Sequence, residues 1–411
     1  YTIIASMFQN QTHSFHVQVF YCLLASAIAL NSCSNRPIEV NDASVQHGIQ
    51  AMAGFNIAFL PGANTDSLLL TDGWKRTDAG RLVTKAFEVP LFQNAPEATL
   101  TLSLKSTGDP WDKSGAVLLL QDDWAKYIEQ DSRAWPGIEP NASNGFTPAL
   151  ELLRFITPFG VGHYSYTERS DEYRPVYIPK WEQQVSWKND ISHLWSAMED
   201  SITLAVYIDT WSAEGHELDL NITFKGQSAR VPPPPQMEHL TLVNTTKFHA
   251  NQSPFDGFAT NPLILDFHLS ESAANAVLHY MPTGHGGHSA GDEFVPCRHI
   301  LSLDLDTIAQ FTPWRDDCAS FRRFNPSSGV WTERTYWQGD SIDERIASSD
   351  YSRSGWCPGS DVPAMKFNLG KLEAGTHQLT IDVPDAQRYT NAAMNFWNVA
   401  AYLTWQRPEE L

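Results

Sequence analysis

The stretch TGHGGHSAGDEFVPCRH, Thr283–His299, concentrates side chains that could do chemistry. It carries an adjacent acidic pair, a cysteine and three histidines, namely Asp292, Glu293, Cys297, His285, His288 and His299. Imidazole nitrogens bind zinc or copper, whereas carboxylates act as general acids and bases or hold polar ligands. Glycines flank the first two histidines, so the fixed spacing of a helical metal site is absent, and the glycines favour close approach of a ligand. The residues therefore favour a loop that a ligand can approach closely. A bound metal, carboxylates in acid–base chemistry and a solvated acidic turn stay open.

Two further segments place acidic residues beside tryptophan. Trp111 and Asp112 are adjacent in Gly108–Lys113, and Asp209 and Trp211 end the run YIDTW. The alternation of the preceding strand puts Asp209 on its less apolar face, at the strand end. An indole can stack on a sugar ring while a carboxylate accepts hydrogen bonds from its hydroxyls, so both segments are candidates for a carbohydrate site. An ordinary hydrogen-bonded turn is the alternative at each.

The segment Tyr351–Gly359 combines the cation Arg353, the indole of Trp356 and the thiol of Cys357 in a tight turn. The arginine and tryptophan form a possible cation–π pair, which is also compatible with a structural role. In an exported chain two of the three cysteines outside the N-terminal segment should pair. A bridge between Cys318 and Cys357 would close a loop of about forty residues.

Alternating apolar and polar residues predict a chain built of short strands. The clearest examples are Ala98–Ser106, Ile202–Asp209, Pro262–Leu269 and His377–Val383. Glycine, proline, asparagine and aspartate punctuate the strands, and no long amphipathic helix stands out, although a helical turn is expected over Asp190–Asp200. The pattern predicts an all-β sandwich.

Four consecutive prolines mark a domain boundary at residues 231–235. Such a run fixes φ and forms a stiff spacer. We expect one β domain over residues 51–230 and a second over 236–406.

The net charge of −19 disfavours nucleic acid, because binding to phosphates requires basic patches. It equally disfavours anionic membrane surfaces, whereas neutral glycans remain suitable partners. The 14 tryptophans are many for 411 residues, and they supply both core packing and candidate platforms for sugars.

Residues 1–33 are expected to form an export signal. Val19–Leu30 is an apolar run too short to span a bilayer comfortably. It leads to Leu30-Asn31-Ser32-Cys33, which resembles the lipobox of bacterial lipoproteins, in which the cysteine is lipidated. The preceding residues lack Lys and Arg, so a plain secretory signal is the alternative. Either signal predicts a protein located in the periplasm, at the cell surface or outside the cell. Contact with a membrane is expected only through a lipid on Cys33. Residues 34–50 are expected to form a flexible linker.

Several stretches together resemble the bacterial peptide:N-glycosidase F family, amidases that remove N-glycans from asparagine. Trp111-Asp112-Lys113 before the strand AVLLL is similar to the family's Trp-Asp-Arg, and RFITPFGVG at Arg154–Gly162 is nearly the family's own run. Asp209-Thr210-Trp211 resembles its Glu-Thr-Trp, and Asp292-Glu293-Phe294 resembles its Ala-Glu-Trp after a glycine-rich loop. Arg353–Gly359 is similar to its Arg-x-Gly-Trp-Cys-Pro-Gly. The motifs follow one another in the family's order.

The resemblance implies a fold of two adjacent eight-stranded antiparallel jelly-roll sandwich domains with an active site between them. It implies catalytic roles for Asp112, Glu293 and Asp209. The substrate-binding residues that it implies are Trp111, Lys113, Trp211, His285, Arg353 and Trp356. The implied reaction is hydrolysis of the amide between asparagine and the innermost N-acetylglucosamine of N-glycoproteins or N-glycopeptides, with no cofactor or metal.

The chain departs from the family pattern at several positions. Asp209 is one methylene shorter than the usual Glu, and Lys113 lacks the planar fork of arginine. Two family cysteine pairs are missing, which leaves Cys297 single, and insertions are expected over 125–145 and 332–351. Two other functions therefore stay open: a non-catalytic glycan-binding protein on the same scaffold, and a copper monooxygenase-like protein, since twin jelly rolls also host histidine-bound copper.

Overall fold

Antiparallel strands make up most of the regular structure in the computed structural model. It describes residues 44–61, 68–69, 73–120, 148–160, 178, 180–198, 200–228, 237–246, 257–286, 290–328 and 330–407. The predicted export signal with Cys33, the proline spacer, His288 and the insertion over 125–145 lie outside these ranges.

The strands of the first half are β1 (Val45–Ile57), β2 (Leu68–Leu69), β3 (Lys75–Thr77), β4 (Leu82–Glu88), β5 (Glu97–Ser106), β6 (Ser114–Leu120), β7 (Leu150–Ile156), β8 (Val185–Asp190), β9 (Ser201–Ile208) and β10 (His216–Gly226). Those of the second half are β11 (Met237–Asn244), β12 (Leu263–Leu269), β13 (Ala273–His285), β14 (His299–Leu303), β15 (Asp306–Phe311), β16 (Val330–Trp337), β17 (Asp340–Ala347), β18 (Asp361–Val362), β19 (Met365–Leu372), β20 (Gly375–Asp382) and β21 (Phe396–Gln406). Short 3₁₀ helices cover Asp78–Gly80, Ser192–Ala197, Gly257–Ala259, Cys318–Phe324 and Ser348–Asp350. No helix in the described ranges is long and apolar enough to cross a membrane.

The first half is a sandwich of two sheets. One has the order β1-β10-β5-β8, and the other has the order β18-β7-β6-β9-β4-β3-β2. Alternate residues of both sheets, such as Leu102 in β5 and Val206 in β9, point into one apolar core. The second face of the larger sheet carries a smaller apolar cluster that includes Ala205 and Tyr207. The strand before Asp209 is therefore buried on both faces.

The second half contains two four-stranded sheets. Their orders are β11-β21-β13-β19 and β12-β20-β14-β15, and they share a second core that includes Leu278, Leu301 and Leu379. The strands β16 and β17 form a separate hairpin, which begins two residues before the predicted insertion over residues 332–351 and otherwise lies inside it. The eight strands of the two larger sheets match the number expected for this half.

The all-β prediction is confirmed, and the four strands singled out in the sequence correspond to β5, β9, β12 and β20. Two details differ. Val45 begins β1 inside the expected linker, because its alternating residues pair with β10 and pack on the first core. The short strand β18, from the second half of the chain, pairs with β7 and completes a sheet of the first half. Both pairings join residues far apart in sequence, which local patterns do not reveal.

Arg154 on β7 links elements from the two halves. Its guanidinium is buried, forms an ion pair of 2.7 Å with Glu151, and donates to the carbonyl oxygens of Met281 and Asn398 at 2.8 Å each. These carbonyls belong to β13 and β21, so a residue of the RFITP run fixes the second half against the first.

Cys318 and Cys357 form the predicted disulfide, and Cys297 is buried and free. The bridge joins the 3₁₀ helix Cys318–Phe324 to the turn that follows Arg353.

We expect replacement of both bridged cysteines by serine to lower the free energy of unfolding by about 4 kcal/mol, because the bridge constrains a long loop in the unfolded chain. Denaturant titration with and without a thiol reductant measures the effect. The reductant should bring the wild-type midpoint to that of the double variant and leave the variant unchanged. A wild-type midpoint insensitive to full reduction would contradict this role.

Candidate active site

Two carboxyl groups meet on one buried arginine. The Nε of Arg353 donates to Glu293 Oε1 at 2.9 Å, and its Nη2 lies 4.0 Å from Asp112 Oδ2. The arginine side chain is 1% exposed, whereas those of Asp112 and Glu293 are 17% and 18% exposed. Asp112 comes from the first half of the chain and Glu293 from the second, so the fold brings together two acids predicted for one site.

Asp112 lies in the loop between β5 and β6, which is tied to the end of β7. Lys113 donates its N–H to Thr157 Oγ1 at 2.9 Å, and the N–H of Thr157 donates back to the Lys113 carbonyl at 2.8 Å. The side chain of Trp111, just before Asp112, is exposed. The indole therefore stands at the surface beside a backbone that is fixed on both sides.

Glu293 lies in a turn held by its backbone. Its N–H donates to the carbonyl of Gly286 at 3.4 Å, and its own carbonyl accepts the N–H of Ser354 at 2.9 Å. The preceding Asp292 is fully buried and accepts the N–H of Gln387, at 3.1 Å to Oδ1 and 3.2 Å to Oδ2. Of the acidic pair, Asp292 therefore has a structural position and Glu293 reaches the site.

Two glycines of the stretch Thr283–His299 allow close packing of protein backbone. A Cβ at Gly284 would lie 2.6 Å from the carbonyl oxygen of Asp292. Gly286 has φ of 87°, and a Cβ there would collide with the carbonyl of Met394. The expectation that these glycines let a ligand approach is wrong at both positions, because protein backbone occupies that space.

Burial raises the pKa of both carboxyl groups of the pair. For Asp112 this effect exceeds the lowering by the positive charges of Arg353 and Lys113. For Glu293 it exceeds the lowering by Arg353, and the nearby charge of Asp112 adds to it, so the pKa of Glu293 rises to about 7. Glu293 therefore changes its protonation near neutral pH.

Hydrogen bonds and two aromatic rings hold the Arg353 side chain in place. Its Nη1 donates to the carbonyl of Tyr351 at 2.9 Å and its Nη2 to Ser348 Oγ at 3.2 Å. The guanidinium carbon lies 4.9 Å from the ring centroids of both Phe294 and Trp356. With so little exposure, the Arg353 guanidinium faces the two carboxyl groups and not the solvent, and its expected contact with substrate stays a prediction.

His285 and Trp356 are also buried, and their expected contact with substrate stays a prediction. The His285 ring stacks between Trp356 and Phe396, with centroids 5.4 Å and 5.0 Å apart, and its Nε2 lies 2.8 Å from Thr283 Oγ1. The Trp356 Nε1 donates to the Gly284 carbonyl at 2.8 Å. Trp356 packs against Arg353, and His285 packs against Trp356. Burial lowers the pKa of His285 to about 3, so it is neutral.

Asp209 has its own buried arginine. Arg81 Nη1 donates to Asp209 Oδ1 at 2.9 Å, and the hydroxyl of Tyr207 donates to the same oxygen at 3.0 Å. The Arg81 guanidinium also lies 4.4 Å from the ring centroid of Trp211, which is half exposed. The N–H of Asp209 donates at 2.9 Å to the carbonyl of Ser114, the first residue of β6, directly after the Asp112 loop.

A cleft of about 280 Å³ opens beside Asp209 and Trp211. Its lining comes from both halves of the chain: Ser114, Tyr207, Asp209, Trp211, Thr246, Tyr389, Met394, Phe396 and Asn398. Trp211 and Met394, 50% and 48% exposed, are two of the most exposed large apolar side chains in the described ranges. Apolar faces combined with hydroxyl, amide and carboxylate groups suit a sugar ring.

The two histidines of the opening stretch that can be placed are engaged elsewhere. His299 Nδ1 lies 2.8 Å from the Tyr280 hydroxyl, within the second core, while His285 packs on Trp356. Among the described residues no three His, Cys, Asp or Glu side chains are grouped as metal ligands. The polar groups that the structure places at the site are two carboxyl groups beside an arginine.

Two residues important to the site were not singled out from the sequence. Arg81 pairs with Asp209, and the segment around Met394 lines the cleft opposite Trp211. Neither residue is close in sequence to an acidic residue of the site. The sequence also does not show that the Met394 side chain is exposed or that its backbone has a positive φ of 49°.

Comparisons with known proteins identify the family of the chain. Two family models match: "Peptide-N-glycosidase F, N terminal" over residues 49–224 and "Peptide-N-glycosidase F, C terminal" over residues 256–404. A structure of PNGF-II is 27% identical, with a TM-score of 0.72, and the match covers 89% of this chain and 66% of that one. PNGase F from Flavobacterium meningosepticum, described as a glycosylasparaginase, is 16% identical with a TM-score of 0.57, covering 88% and 96%. No curated protein sequence matches. The chain belongs to the peptide-N-glycosidase F family.

Proposed function

We propose that this protein is a glycoasparagine amidase, which hydrolyses the amide between asparagine and the innermost N-acetylglucosamine of N-linked glycans. The observation that carries the proposal is the pair Asp112 and Glu293, partly exposed, on the buried Arg353. Family membership supports the substrate class. The chain spans 66% of PNGF-II, so its own activity and substrates are inferred from the site.

In the proposed first step, Asp112 takes a proton from a water molecule. The water oxygen attacks the side-chain carbonyl carbon of the substrate asparagine, and the carbonyl oxygen becomes an oxyanion. Arg353 and Lys113 are the positive charges next to Asp112, and their field stabilises this developing negative charge.

In the second step, protonated Asp112 returns its proton to the amide nitrogen. The carbon–nitrogen bond breaks, which leaves aspartate in the peptide and releases the glycan as a glycosylamine. Glu293, ionised, accepts the Nε–H of Arg353 and so holds the arginine beside Asp112. No step requires a metal or cofactor.

The sugar side of the substrate is proposed to lie along Trp111, Asp209 and Trp211. Both indoles are exposed, and Asp209 keeps an oxygen available beyond the one shared by Arg81 and Tyr207. The shorter side chain of Asp209 is thus fixed by two buried donors, which supports retention of its role in place of glutamate.

We expect kcat/KM to rise with pH through about 7, because Glu293 must lose its proton to accept fully from Arg353. In Glu293→Gln this rise in kcat/KM should occur at the lower pH at which Asp112 alone titrates, and kcat/KM at high pH should be smaller than in the wild type. Rates measured between about pH 5 and pH 9 test this. Glu373→Gln, at an exposed position, is the control. A limb that stays near neutral pH in Glu293→Gln would assign it to another group.

Activity on a defined N-glycopeptide tests the proposal. The expected products are free glycan and a peptide in which the glycosylated asparagine has become aspartate, both identified by mass spectrometry. Binding of the glycopeptide without turnover would instead support the glycan-binding alternative, and neither binding nor turnover on a panel of glycopeptides would refute both.

We propose further that the protein works outside the cytoplasm, on N-glycoproteins or N-glycopeptides. The Cys318–Cys357 bridge supports an oxidising compartment. Membrane attachment through Cys33 remains a sequence prediction.

A further inference from the structure

Asp109 is a fully buried carboxylate at the base of the site. Its Oδ1 accepts the N–H of Trp111 at 3.0 Å, and its Oδ2 accepts the hydroxyl of Thr210 at 2.6 Å. In both bonds a carboxyl oxygen of Asp109 is the acceptor.

The two donors belong to different loops. Trp111 immediately precedes Asp112, while Thr210 lies between Asp209 and Trp211. The Thr210 oxygen also accepts the N–H of Ser212 at 3.2 Å, which extends the network past Trp211. One carboxylate therefore joins the loop of the proposed base to the loop of the proposed sugar platform.

The backbone around Asp109 has little room to shift. Its carbonyl accepts the Ser106 hydroxyl at 2.7 Å, and a Cβ on Gly160 would collide with that same carbonyl. A Cβ on Gly108, whose φ is 145°, would lie 2.7 Å from the Glu214 side chain. The carboxylate is thus presented from a fixed backbone, as a positioning role requires.

The charge of Asp109 also reaches Asp112. It adds to the larger effect of burial in raising the pKa of Asp112. His216 lies close to Asp109 and is itself fully buried, with neither ring nitrogen hydrogen-bonded in the described ranges. Burial lowers the pKa of His216 to about 4, so at neutral pH it is uncharged and does not neutralise Asp109.

We propose that Asp109 is a positioning residue that locks the Asp112 loop to the Asp209–Trp211 loop, and so sets the catalytic carboxylate against the sugar-binding cleft. The catalytic part of this inference rests on the proposed amidase function; the geometric and electrostatic part does not. Asp109 itself contacts no substrate, because it is fully buried beneath both loops.

Asp109→Asn tests the lock with little change of shape. The amide oxygen can still accept from Trp111, but at Thr210 the NH₂ group has to donate to a hydroxyl oxygen that already accepts the N–H of Ser212, so the bond there reverses and the hydroxyl must turn away. We expect kcat to fall about 10- to 100-fold through displacement of Asp112. Thr210→Val removes the bonds of Thr210 to Asp109 and to the Ser212 N–H and leaves the bond between Asp109 and Trp111, so KM should rise with a smaller loss of kcat, and Thr210→Ser should recover most of both.

The titration of Asp112 separates this role from a purely structural one. Carbon NMR of protein labelled at aspartate carboxyls follows it, with the Asp112 signal identified by its loss in Asp112→Asn. Asp109→Asn should lower the pKa of Asp112, whereas Thr210→Val, which changes no charge, should leave it near the wild-type value.

Folded Asp109→Asn with wild-type kcat and an unchanged Asp112 titration would overturn the proposal. If the wild-type protein cleaves no glycopeptide, the amidase proposal fails on its own, and the Asp112 titration in the variant alone decides for or against Asp109. If Asp109→Asn does not fold, the Thr210 pair decides: equal kcat and KM in Thr210→Val and Thr210→Ser contradicts the lock.

Discussion

Asp112→Asn is expected to lower kcat on a glycopeptide by about 10² to 10⁴-fold, because the amide cannot take a proton from the attacking water. The change keeps the shape of a partly exposed side chain, so the fold and glycan affinity should survive. Single-turnover rates measure the loss, and equilibrium binding of the glycopeptide shows that substrate still reaches the site.

The matched control is Asp306→Asn, the same chemical change at an exposed position on β15. It should leave both rate and binding unchanged. Full activity in a folded Asp112→Asn protein would remove Asp112 from the mechanism and shift the role of base to another group.

Arg353→Lys should be the second most damaging single change, although it preserves charge. Lysine cannot reproduce the separate bonds to Glu293, Tyr351 and Ser348 that the planar guanidinium makes. Loss of a charged hydrogen bond costs about 1.5–3 kcal/mol, which corresponds to roughly a 10- to 150-fold decrease in kcat/KM.

The pH dependence should change in the same variant. Arg353 lowers the pKa of Glu293, so weakening this contact should raise that pKa and move the limb near pH 7 to higher pH. Kinetics across pH on Arg353→Lys and on the control Arg323→Lys test this, since Arg323 pairs with Glu182 at the surface, where ion pairs contribute little. An unshifted limb in Arg353→Lys would contradict the coupling.

The fold was largely predictable because period-two alternation is a local signal. It identified strands such as β5 and β20 on both sides of the proline run. The pairings of β1 with β10 and of β18 with β7 were not predictable, because each depends on partners far away in sequence. The proposed division at residues 231–235 remains a sequence prediction.

The sequence predicted which residues belong to the site better than it predicted how they are arranged. Motifs brought Asp112, Glu293 and Arg353 together, but sequence does not show that the arginine is buried between the acids. Trp356 and Trp211 both lie in motifs that match the family, but the structure places them differently. Trp356 is buried against Arg353, whereas Trp211 is exposed and lines the cleft. Asp109 had no motif beyond the acidic turn around Trp111, since its role lies in joining two loops.

The most direct test of the amidase account is cleavage of a defined N-glycopeptide in heavy-oxygen water, followed by mass spectrometry of the peptide product. Attack of water on the asparagine carbonyl predicts that the peptide carries aspartate with one solvent oxygen in its new carboxyl group. A released peptide that retains an unlabelled asparagine would show cleavage between the sugar and the nitrogen, and would contradict the account.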